Sequence, residues 1–74
     1  MDHIREFIRT GGGLTESKLS MMVREQMMTA PAPERRNWLR QVELSLDGYG
    51  LQSQISAAQR VMAVIKELDA ELDS

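Results

Sequence analysis

The sequence predicts an all-α fold: a small three-helix bundle with a C-terminal antiparallel helical hairpin and a short extra helix at the N-terminus. Three observations lead there. Apolar residues recur at three- and four-residue spacing through most of the 74 residues. Three Gly- or Pro-rich breaks divide the chain: a triple glycine at 11–13, Pro31-Ala32-Pro33, and Gly48-Tyr49-Gly50. The segments between the breaks hold few β-branched residues. Helices are expected over 2–9, 15–29, 33–47 and 52–73, within a single domain 1–74.

The first helix has an apolar stripe of Ile4, Phe7 and Ile8, and Asp2 can cap it. Two turns alone are marginal in water, so this helix must dock or fray. Residues 10–14 read as a flexible hinge that allows either. In the second helix Thr15 is a good N-cap, and Leu14 and Leu19 have the spacing of a hydrophobic staple. Leu19, Met22, Val23, Gln26 and Ala30 define one side, with Met27 at its edge. Pro31 and Pro33 end that segment and push Ala30 and Ala32 toward extended backbone.

The third helix is expected to start near Pro33 and to run to Asp47, with Gly48 as a left-handed C-cap. Leu39, Val42 and Leu46 form its buried stripe, flanked by Trp38. The fourth helix carries Ile55, Ala58, Met62, Ile65 and Leu72 on one face, widened by Val61, Val64 and Leu68. So wide an arc fits contact with two neighbours, which makes this helix the central element. Being longer than the third, it is expected to overhang the third helix's start with residues 66–73.

Composition narrows the function. The chain has no Cys and one His, which excludes disulfides, thiolate zinc sites, a Cys nucleophile and a His-rich metal site. A core of this size is often worth only about 3–5 kcal/mol, so helix packing, self-association or a partner must supply stability. The 42% apolar content is too high for a disordered chain. No apolar run is long enough for a membrane span, and the charged N-terminus does not read as a signal peptide. A soluble, cytoplasmic domain is expected.

The net charge of −2 conceals an asymmetry. Residues 1–40 hold seven basic and five acidic groups, a net of +2, and residues 41–74 hold two basic and six acidic groups, a net of −4. Head-to-tail packing, within or between chains, would bring the halves together. The acidic end, Glu67, Asp69, Glu71 and Asp73, opposes the helix dipole and reads as a fraying tail, or else as a surface for a basic partner.

The second helix gives the most informative functional signal, because Met21 and Met28 lie seven residues apart and away from its main apolar side. Met is over-used on adaptable binding surfaces. Two readings stay open: a partner or dimer face, or side chains covered by the same domain or exposed singly. Leu44 also points away from its helix's stripe. The leading expectation is non-catalytic protein–protein interaction with a protein partner or a second copy, through Met21, Met28 and Leu44, with Phe7 and Ile8 as a mobile anchor.

The rival expectation is a small dimeric DNA-binding regulator using Arg36, Asn37 and Arg40 at the start of the third helix, where Arg and Asn can read base edges. The acidic balance and Glu34 argue against it. His3 has no associated nucleophile, the glycines lack the Gly-Lys-Ser/Thr of a phosphate loop, and Trp38 and Tyr49 suit packing. Neither catalysis, a metal nor a cofactor is expected. No motif marks a family. Size, acidity and Met usage give only a general likeness to small bacterial adaptors such as secretion chaperones, anti-activators and phage-encoded inhibitors.

Overall fold

A computed structural model describes residues 2–73, which form α1 (Asp2–Arg9), α2 (Glu16–Met28), α3 (Arg35–Leu44) and α4 (Gln52–Leu72). One turn of 3-10 helix, Ala32–Glu34, leads into α3. No strand occurs among the described residues. Every other helix packs against α4, while α2 also touches α1 and α3.

The reason lies in α4's apolar spacing. Ala57, Val61, Val64 and Leu68 recur at intervals of four, three and four, and with Ala58 and Ile65 they are buried. Ile55, Met62 and Leu72, expected on the main stripe, are only half-buried at its edge. Ile4, Phe7 and Ile8 of α1, Leu19, Val23 and Met27 of α2, and Leu39 and Val42 of α3 complete the core, joined by Leu46. No polar or charged residue is buried among those described, and no buried side-chain polar atom lacks a partner.

The α2 start follows the sequence: Thr15 is the N-cap, and its Oγ1 accepts from the Lys18 N–H at 3.3 Å. The capping role expected of Asp2 falls outside the described side chains. Pro33 lies in the 3-10 turn, so the regular part of α3 begins two residues later than expected.

The end of α3 also differs. The helix stops at Leu44, not Asp47, and its C-cap is Ser45. Ser45 Oγ donates to the Val42 carbonyl at 2.7 Å, so a local side-chain bond competes with continued helix. Gly48 does adopt the left-handed region (φ +96°), but within the connection rather than next to the helix. Leu46 is buried all the same, carried into the core by the turn after α3.

The expected overhang is reversed. Arg36, in the first turn of α3, pairs with Asp69 (3.5 Å) and Asp73 at the end of α4. The two helices are therefore level at that end. The N-terminal turns of α4 extend past α3, and the glycine segment lies against them, with Gly11 beside Ser53 and Gly12 beside Ala57.

Candidate protein-interaction surfaces

The first connection is where expectation and structure part most. Thr10 follows α1, and Gly11 and Gly12 both have φ +84°. The Gly11 N–H donates to the Ile8 carbonyl and the Gly12 N–H to the Phe7 carbonyl, each at 3.0 Å. That pair of bonds is a Schellman cap, which closes α1 and satisfies the Phe7 and Ile8 carbonyls. The cap leaves little of the hinge expected over 10–14.

Arg60, in the middle of α4, then fixes the segment in place. Its guanidinium donates to the Gly12 carbonyl (2.9 Å), the Leu14 carbonyl (2.6 Å) and the Glu16 carboxylate (2.6 Å). It also lies 5.3 Å from the centre of the Phe7 ring, within cation–π range. Phe7 and Ile8 are 4% and 1% exposed, so they are core residues and not a mobile anchor. This corrects the expectation for both. Arg60 escaped the sequence reading because its partners lie 44, 46 and 48 residues away. The one cue was an arginine at the flank of an otherwise apolar arc.

The acidic end of α4 is helical to Leu72 and is held by arginines. Arg24 of α2 makes a bidentate pair with Glu71, at 2.9 and 2.8 Å. Hydrogen bonds from Arg24 hold the Glu71 carboxyl below the ordinary carboxylate range. Arg36 holds Asp69 and Asp73 as described. The basic first half and acidic second half thus meet within one chain, and the reading of a loose tail is corrected.

These pairs bear on the nucleic-acid candidates. Arg36 already faces two carboxylates. Arg40 and Asn37 are exposed, and Arg40 shares shallow hollows with Glu43 and Asp69. Arg36, Asn37 and Arg40 therefore do not make a free cationic face. His3 borders a hollow between α1 and α2 with Glu6, Phe7, Leu14 and Met22, and Glu6 is paired with Arg9. No group of three or more His, Cys, Asp or Glu among the described residues comes together to hold a metal ion. No described helix is long and apolar enough to cross a membrane.

Two apolar surfaces remain. On the α3–α4 hairpin a groove of about 390 Å³ is lined by Leu46, Tyr49, Ile55, Ala58 and Met62, with Asp47 at its rim. Asp47 and Met62 also line an adjoining hollow of about 350 Å³, with Leu44, Arg40 and Glu43. The two form one strip. Leu44 is 67% exposed, and Leu51, at the α4 N-cap, is 63% exposed. Leu51 was not singled out from the sequence, although its four-residue spacing from Ile55 was the available signal.

The second surface is the outer face of α2, where Met21 is 60% and Met28 54% exposed. Both stand clear of the core stripe of Leu19, Val23 and Met27 because they fall on the opposite side of the helix. No protein-family model matches the chain, and comparison with curated proteins and with solved structures finds no match either.

Proposed function

We propose that the chain is a non-catalytic protein–protein interaction module, an adaptor, small chaperone or regulatory inhibitor, acting in the cytoplasm without a cofactor. The observation that carries this reading is the apolar strip on the hairpin, where Leu44 is exposed beside a groove floored by Leu46, Ile55 and Met62. A monomer gains nothing from leaving such side chains in water, whereas covering a leucine contributes up to about 1.5–3 kcal/mol. The strip suits an extended or helical segment that places apolar side chains into the groove while Glu43, Asp47 and Arg40 form a polar rim.

All four helices of one chain contribute buried residues to the core, which supports association between folded molecules on this reading. Nucleic-acid binding has less support, because Arg36 is occupied by Asp69 and Asp73.

A photo-crosslinking residue at position 44 in host extract tests the proposal, with the same residue at exposed position 34, at the far end of α3, as control. A discrete adduct at 44 that is absent at 34, and that is lost on adding Met62→Glu, supports it. Equal, diffuse labelling at both positions defeats it.

A further inference from the structure

We infer that the outer face of α2 is the contact of a two-fold dimer of this chain, with the two α2 helices packed antiparallel about Met21. The inference rests on reading the methionine face as an interface and does not depend on the hairpin groove. Lys18, Met21, Glu25 and Met28 follow one another at spacings of three, four and three, so they share one side of the helix. All four are exposed. Lys18 and Glu25 enter none of the ion pairs formed among the described residues. Seven residues apart, they are separated by about 10.5 Å along α2, too far to pair with each other.

A second copy removes that mismatch. In an antiparallel pair, residues on the same flank of the two helices face one another. Lys18 lies three residues before Met21 and Glu25 four after it. A two-fold axis beside Met21 therefore sets Lys18 against Glu25 of the second copy, and Glu25 against its Lys18. Met21 packs on Met21 of the second copy, and Met28 lies level with the other helix's start at Thr15.

Other arrangements lose this complementarity. A parallel pair sets opposite flanks together, so Lys18 meets Ser17 and stays unpaired, while Glu25 meets Arg24, whose charge Glu71 already faces. An axis midway between the two methionines sets Glu25 against Glu25, and like charges in contact are costly. On the opposite flank Ser17 comes near Arg24 of the second copy, whose charge Glu71 already faces. The contact is one short helix pair, smaller than the roughly 1,200 Å² at which stable interfaces begin, so the dimer belongs to the weak, concentration-dependent class.

Sedimentation equilibrium on the whole chain, up to about 1 mM protein, reads the association. The wild type is expected to pass from monomer to dimer, less readily as salt is raised. Lys18→Glu and Glu25→Lys should each weaken the dimer about tenfold or more, and the double variant should return to within about threefold of wild type. Met21→Glu should abolish it. All these positions are exposed, so circular dichroism should show the fold unchanged. A wild type monomeric throughout overturns the inference. So does a single charge reversal without effect, a double variant that fails to recover, or a dimer lost in Leu44→Glu but kept in Met21→Glu. Crosslinking at position 44 reads a different face, so each proposal can fail alone.

Discussion

The connection between α1 and α2 and the connection between α3 and α4 are built on opposite plans. The first contains three glycines, yet it is closed by a Schellman cap and tied to α4 through Arg60. The second contains two glycines and three aromatic or aliphatic side chains, Leu46, Tyr49 and Leu51, and it borders an open apolar groove. Glycine content alone therefore says little about looseness. At Gly11 and Gly12 it provides a left-handed backbone that lets the chain lie close to α4. The hairpin connection leaves apolar surface uncovered, which is what a binding surface requires.

Phe7→Ala should break this contrast most severely if the α1 end is as firmly docked as described. A loss of about 3–5 kcal/mol is expected in urea denaturation, since the ring is buried beneath Arg60. A loss well under 1 kcal/mol would mean that α1 is detached in solution. Arg60→Met keeps the stem but removes the donors to Gly12, Leu14 and Glu16. It should cost about 2 kcal/mol and increase hydrogen exchange at the Gly11 and Gly12 amides. Gly12→Ala should cost about 1–2 kcal/mol, because φ is positive and the new Cβ would lie 3.2 Å from the Arg60 guanidinium.

Two Arg–Glu pairs between α2 and α4 sharpen the comparison. Arg60 holds Glu16 and two carbonyls together, whereas Arg24 holds Glu71 at the exposed opposite end. Glu71's lowered pKa contributes stability that is complete above the ordinary carboxylate value of about 4.5 and is lost as pH falls through the lowered value. Arg24→Gln should move the Glu71 midpoint in an NMR titration up toward 4.5. An unmoved midpoint would show that the pair does not form. The smallest effect is expected at the hairpin: Leu44→Ser with Leu51→Ser should change stability by no more than about 0.5 kcal/mol, since both side chains are exposed. A large loss there would show that the strip supports the fold rather than a partner.

Much of this was legible in the sequence, for reasons particular to each element. The stripe of Ile4/Phe7/Ile8, the burial of Leu19 and Val23 and the cap at Thr15 are local patterns, and local patterns survive folding. On α2 the buried side is turned toward Met27, expected at the edge, leaving Met22, Gln26 and Ala30 half-buried. The end of α3 was not legible, because Gly48 is the stronger stop signal and Ser45 acts first through its own hydroxyl. The charge asymmetry between the halves was visible. That Arg24 and Arg36 meet the acidic end of α4 depends on how helices distant in sequence align. The Arg60 contacts belong to the same kind, set by tertiary distance rather than by spacing. Of the interaction surfaces, Met21, Met28 and Leu44 were visible as apolar residues off their helices' main stripes. The groove was not, because it depends on α3 ending early and on Ile55 and Met62 lying at the edge of α4's buried arc.

Arg60 also has a bearing on the order in which the molecule can be assembled. The residues it joins, Phe7, Gly12, Leu14 and Glu16, are made long before it, and α4 is the last of the four helices to be synthesised. Until α4 emerges, α1 and α3 can meet only α2, and the one surface that all three share is missing. The first helix must wait for the last, so the chain should acquire its native form in one late step rather than helix by helix as it is translated.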